Sequence, residues 1–195
     1  MTSISIPDGV TSIDFLTFAD CSSLTSITLP ENLVSIGNLA FQDCSSLTSI
    51  SLPDGVTSIG DMAFFNCNSL TNISIPAGVT FIGNSAFYDC DSLTSISIPD
   101  SVTSIGNGAF QGCIRLTSIT LPESLVSIGN RAFEDCSALT SVYYKGTKAE
   151  WDEISVDSGN EALQSATIYY YSETKPPLNG DGTAYDGNYW RYPTA

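Results

Sequence analysis

Short runs of alternating apolar and polar residues recur along the chain, separated by turn-forming residues. In Leu47-Thr-Ser-Ile-Ser-Leu52, Ile50 and Leu52 fall on one side, the pattern of a half-buried strand. Pro53 removes a backbone donor, and with Asp54-Gly55 it predicts a turn. Val56 and Ile59 point inward again on a second short extended stretch. Gly60-Asp61 then predicts another corner, and Met62-Ala-Phe-Phe65 is long enough for about one turn of helix or 3₁₀. Ala63 is small where the chain must pass close, Phe64 is placed at the centre, and Cys67 ends the unit as a small buried hydrophobe.

This unit repeats. Cys21, Cys44, Cys67, Cys90, Cys113 and Cys136 are each 23 residues apart. Pro7 to Pro122, Phe18 to Phe133, Leu24 to Leu139 and Ile13 to Ile128 keep the same step, with six members each. Several residue types locked to one period define a solenoid, because each unit can bury its apolar side only against its neighbours. Coils stacked about 4.8 Å apart would make the strands one continuous parallel sheet. Short strands or 3₁₀ turns would form the remaining sides.

The two ends depart from the repeat. Met1-Thr-Ser-Ile4 aligns with Leu24-Thr-Ser-Ile27, so the chain starts inside a coil, and a solenoid needs a polar cap. We therefore expect a fragment whose preceding coils and signal peptide have been removed. After Val142 the composition shifts, with eight of the nine Tyr and both Trp lying from Tyr143 onward. Thr147 is placed to cap a short helix from Lys148 to Ile154, with Glu150 at its third position. Ser158-Gly-Asn then turns the chain, and Thr167 to Tyr171 reads as a last strand. The expected organisation is a six-coil solenoid over 1–143, a C-terminal α/β cap over 144–172 and a Pro/Gly/Tyr-rich tail over 173–195.

The Leu-x-x-Ile-x-Leu-Pro run followed by Ile-Gly-Asn-x-Ala-Phe-x-x-Cys resembles the BspA-like leucine-rich repeat family of bacterial surface proteins. The resemblance covers roughly residues 2–143. Tyr143 to Trp151 and Ala166 to Tyr171 also resemble segments that close such arrays. It implies a right-handed, curved leucine-rich-repeat solenoid with its parallel sheet on the concave face. It further implies export to the bacterial cell surface and use in adhesion or partner binding. It carries over no catalytic residue.

Composition narrows the function. Six Lys and Arg stand against 21 Asp and Glu, a net charge of -15, with no basic cluster for nucleic acid or an anionic membrane surface. There is no His, which removes the commonest general base and metal ligand. No apolar run approaches the roughly 20 residues of a membrane span. We expect no enzyme and no cofactor.

Other chemistry is weighed against simpler roles. Six Cys could pair, but stacked equivalents point in parallel and fit the disulfide torsion poorly, so a reduced buried ladder is the better reading. Asp8, Glu31, Asp54, Asp100 and Glu123 form an acidic row one residue after each Pro, interrupted at Ala77. Turn capping accounts for it more simply than Ca²⁺, which needs about six or more oxygens. Asn179-Gly-Asp-Gly182 reads as a turn, because it lacks the acidic ends of a calcium loop.

The face expected to bind a partner is the outward side of the strands: Ser3 and Ser5 in the first coil, then Ser26, Thr28, Ser49, Ser51, Asn72, Ser74, Ser95, Ser97, Ser118 and Thr120. These are hydroxyls apart from Asn72. Tyr and Trp near the C-terminal end, Trp190 among them, would add amphipathic contact surface for a protein or glycan. The competing reading is a structural stalk, since Ser and Thr also suit a solvated sheet. Ice binding demands a flatness that Phe-filled coils do not favour. A monomer is expected, with edge-to-edge association of the first strand as the alternative.

Overall fold

The computed structural model describes residues 2–171 and the strand Tyr189–Trp190. Two short strands in each coil stack in chain order into two parallel columns. The first column contains Ser3–Ser5, Ser26–Thr28, Ser49–Ile50, Asn72–Ile73, Ser95–Ser97, Ser118–Leu121, Ser141–Tyr144 and Thr167–Tyr171. The second contains Ser12–Ile13, Ser35–Ile36, Ser58–Ile59, Phe81–Ile82, Ser104–Ile105, Ser127–Ile128 and Ser155–Val156. Partners are 23 residues apart, as in Ser35 with Ser58, until the step lengthens in the last coil, where Ser127 pairs with Ser155. We number the coils from the N-terminus, each ending just before its Cys.

The columns are not continuous ladders. The first is paired in three runs and the second in two, correcting the single sheet expected from the repeat. Strands of only two to four residues through most of the stack, closed by Pro on one side, leave few bonds with which to bridge every joint.

The third side of each coil also differs from the expected helical turn. Met62 and Asn66 have φ of 55°, so Met62–Phe65 cannot be helix or 3₁₀. Successive tight turns form it instead. Met62, Phe64 and Asn66 donate their N–H groups to Asn84, Ala86 and Tyr88 of the following coil, while Ala63, Phe65 and Cys67 close turns three residues back. Every N–H of the stretch is thereby paired, alternately across the joint and within the turn. On the strand sides the direction is mixed: Thr57 and Gly60 give N–H to Val34 and Ile36 of the preceding coil, whereas Ile98 gives N–H to Thr120 of the following one.

The core is a set of side-chain ladders. Phe41, Phe64, Phe87, Phe110 and Phe133 are fully buried, and Phe18 joins them in one stack with ring centroids 5.3 to 5.4 Å apart. The equivalent Ala and Ile rows are buried beside it. Coil 1 is less complete, because Ile4, Ile6 and Val10 are only half-buried.

A further ladder is polar. Asn38, Asp61, Asn84 and Asn107 each accept, through a side-chain oxygen, the backbone N–H of the equivalent residue one coil on, at 2.7 to 2.9 Å. Phe15 holds this position in coil 1.

Past Val142 both columns continue. Helix α1 (Lys148–Asp152) ends two residues before the expected Ile154. Its capping box forms as read: Thr147 and Glu150 each accept the other's backbone N–H. Gly159 turns the chain at φ 80°, helix α2 (Glu161–Ser165) follows, and Thr167–Tyr171 forms the expected strand.

Candidate binding face

Register along the first column places the outward hydroxyls in two rows. Ser3 aligns with Ser26, and Ser5 with Thr28. Ser49 aligns with Asn72. Ser95 aligns with Ser118, and Ser97 with Thr120. Ser26, Thr28, Ser49, Ser51, Asn72, Ser74, Ser95 and Ser97 are exposed, whereas Ser118 and Thr120 are half-buried. The intervening Ile27, Ile50, Ile73, Ile96 and Ile119 are buried, as alternation requires.

The rows do not stop at coil 6. Ser118 aligns with Ser141 and then Thr167, while Thr120 aligns with Tyr143 and then Tyr169. Tyr143 and Tyr169 stack at 5.2 Å with their planes 18° apart. The hydroxyl row therefore ends on an aromatic pair that joins Tyr143, the last residue expected in the solenoid, to Tyr169 of the expected cap. Adding one more step of 23 to Thr120 reaches Tyr143. The strand Tyr189–Trp190 pairs with Tyr170 and Tyr171, so Trp190 lies beside this end in backbone register; its side chain is outside the described residues.

Among the described residues, clefts open beside the Pro corners. One of about 510 Å³ is lined by Asp100, Glu123, Ser124, Lys145, Glu150 and Tyr171. In it, Lys145 Nζ lies 2.6 Å from Asp100 Oδ1. The backbone N–H of Thr147, and then its hydroxyl, donate to the Glu150 carboxylate and hold that carboxyl below its ordinary range. The smaller cleft, about 220 Å³, brings Thr28 and Ser51 beside Glu31 and Pro53.

The residues weighed for other chemistry fall into structural places. Cys44, Cys67, Cys90, Cys113 and Cys136 are buried, Cys21 is half-buried, and all six are free thiols. Each buried Sγ donates to the Phe carbonyl 26 residues earlier, at 3.0 to 3.3 Å. Burial pushes the Cys44 and Cys136 thiols up to about 12, and Cys67, Cys90 and Cys113 well above their ordinary value. Protonated thiols of this kind are poor nucleophiles. Asp8, Glu31, Asp54, Asp100 and Glu123 are exposed, and among the described residues no three His, Cys, Asp or Glu side chains come together to hold a metal ion. Asn179 to Gly182 lie outside the described residues. Among the described residues, no helix is long and apolar enough to cross a membrane.

Parallel two-strand coils of about 23 residues, filled by Leu, Ile and Phe ladders, define a leucine-rich-repeat solenoid. The chain belongs to the BspA type leucine rich repeat region family, whose six copies match residues 1–93 and 80–169. It is similar to a leucine rich repeat protein of T. pallidum, with 34% identity and a TM-score of 0.70 over 72% of this chain and 68% of that one. It is also similar to a leucine rich cell surface protein of Faecalibacterium prausnitzii, with 27% identity and a TM-score of 0.57 over 82% of this chain and 64% of the other. The pneumococcal vaccine antigen PcpA shares the fold at 20% identity, with a TM-score of 0.56 over 89% of this chain and 37% of its own. No curated protein matches the chain.

Proposed function

We propose that this chain is a non-catalytic binding module displayed at a bacterial cell surface, engaging a protein or glycan through the outward face of its first strand column. The observation that carries the reading is the register of that face. Hydroxyls aligned from coil to coil, exposed at Ser95 and Ser97 and half-buried at Ser118 and Thr120, run into the stacked Tyr143–Tyr169 pair. Small hydroxyls contribute little apolar area, so the contact is spread along several coils and anchored at the aromatic end. The surface location is supported by the family and by the F. prausnitzii relative, which is described as a cell surface protein.

A second reading, a stalk that spaces other domains, draws on the same face: over coils 1 to 6 it offers neither Trp, Tyr nor Arg as an anchor. Screening the protein against matrix proteins and glycans separates the two. A ligand whose binding falls in the Ser49→Lys/Ser95→Lys variant and in Trp190→Ala supports the binding face. A ligand that binds both variants undiminished refutes that face, and the absence of any ligand favours the stalk.

A further inference from the structure

The turn side of the coils carries apolar side chains over its first half, interspersed with Asn38, Gln42 and Asp61. Leu16, Leu39 and Met62 occupy equivalent positions in coils 1 to 3, and Leu16 N–H bonds to Asn38 and Leu39 N–H to Asp61 across the joints between them. Phe15 precedes Leu16 and is 62% exposed; Leu16 is 42% and Met62 38% exposed. Three residues after Met62, Phe65 stacks on its equivalent in coil 4, Tyr88, at 4.7 Å and 10°. In coils 4 to 6 the Leu/Met row reads Ser85, Gly108 and Arg131, and the Phe65 row continues as Gln111 and Glu134. The same backbone thus presents an apolar patch at one end and a polar surface at the other. Repeat geometry alone does not require this, since the polar residues fit the same positions.

The border of the patch is acidic. Asp20, Asp43 and Asp89 share one left-handed position per coil, each directly following the Phe65 row, and Asp61 stands beside Met62. No Lys or Arg occurs before Arg115. Burial first, then the neighbouring Asp91 and Asp135 carboxylates, raise the Asp89 carboxyl.

We propose that Phe15, Leu16, Leu39, Met62, Phe65 and Tyr88 form a protein-docking surface for a partner segment that carries apolar side chains flanked by Lys or Arg. Charge selects this occupant over a second copy, which would bring a net charge of -15 against the same carboxylates. Exposed apolar clusters with a polar border mark interaction sites.

The test uses a labelled synthetic peptide of Leu, Trp and Lys, with one control replacing Leu and Trp by Ser and another replacing Lys by Glu. Fluorescence anisotropy should detect binding of the first peptide alone. Phe15→Ser/Met62→Ser should weaken it at least about tenfold, as expected for loss of interface anchors. Gln111→Tyr, which lengthens the Phe65–Tyr88 stack by one coil, should tighten it. Ser49→Lys/Ser95→Lys should leave it unchanged, which keeps this surface distinct from the hydroxyl face. Hydrogen exchange should slow on binding in residues 14–20, 37–43, 60–66 and 83–89. The proposal is overturned if the first peptide does not bind, if the Ser control binds as well, or if Phe15→Ser/Met62→Ser binds like the parent. It is equally overturned if sedimentation shows a dimer that this double variant dissociates, which would assign the patch to a second copy.

Discussion

A Cβ atom added to Gly83 would lie 2.6 Å from the carbonyl oxygen of Gly60, its equivalent in the preceding coil. The obstacle is backbone on both sides of a hydrogen-bonded joint, so no side chain can swing away. Gly60, Gly106 and Gly129 meet the coil before them just as closely, and this close approach, not a left-handed φ, is what demands glycine there. Gly83→Ala should cost about 3 kcal/mol, as overpacking in a rigid core does. Gly9, with nothing within 4 Å of its Cβ position, provides the control: Gly9→Ala should leave stability within about 0.5 kcal/mol. Urea unfolding of the two variants checks both, and equal stabilities would refute the close-packed joint.

The thiol ladder makes stability depend on alkaline pH. Burial raises the folded-state thiols of Cys44 and Cys136 from 9.0 to about 12, while in the unfolded chain they ionise near their ordinary value. Their contribution is therefore fully present below pH 9 and is lost as pH climbs towards 12, because the unfolded state releases protons that the folded state retains. Each thiol should contribute a loss of about 1 kcal/mol per pH unit in that window. Urea midpoints at pH 8 and pH 10, repeated with Cys90→Ala, read the slope directly. At neutral pH, Ellman's reagent should react readily with Cys21 alone, and with all six thiols after unfolding. Buried sites that react in the native protein would contradict the ladder.

Asn107 accepts the N–H of Asn130 at 2.8 Å, and Asp61 does the same for Asn84 with a carboxylate. Acceptance is all the position needs. Asn107→Asp should be close to neutral, whereas Asn107→Leu should cost about 1 kcal/mol by leaving Asn130 N–H without its partner. Thermal melts of the two variants would show nearly identical losses if the side chain played no part in the joint.

Stacking is one-sided at Phe18 and two-sided at Phe87, which lies between Phe64 and Phe110. Phe87→Ala should lose about 4 kcal/mol, within the range for emptying a core aromatic site, and Phe18→Ala distinctly less. Amides of residues 2–20 should exchange fastest among the coils, since Ile4, Ile6 and Val10 are half-buried where their counterparts are covered. Uniform protection from coil 1 to coil 6 would contradict this gradient.

Much of this architecture is readable in the chain because a solenoid turns sequence spacing into spatial adjacency. The Cys, Phe and Ile periods fix which side chains meet, and the buried ladders follow them residue by residue. The turn side was misread because Met62-Ala-Phe-Phe is a plausible helical tetrapeptide. What excludes a helix is the pair of left-handed positions four residues apart, of which only the second favours Asp, Asn or Gly. Leu16, Leu39, Met62 and Arg131 disguise the first. The Asn ladder was visible only as a conserved spacing within the repeat unit, and its bonds needed coordinates. On the binding face the rows and the aromatic residues near the C-terminal end were legible, but the register that carries Thr120 into Tyr143 and Tyr169 depends on the strand pairing past the last 23-residue step.

The opposed directions of the hydrogen bonds across each joint bear on how long such an array can grow. In an α-helix all peptide dipoles point one way and sum along the axis. Here the turn-side N–H groups of Leu39, Phe41 and Asp43 point towards the next coil, while those of Thr48, Thr57 and Gly60 point back towards the previous one. The two sets of dipoles oppose one another within a single coil. Each added coil therefore brings dipoles that partly offset one another, where each added helical turn brings only dipoles of one direction.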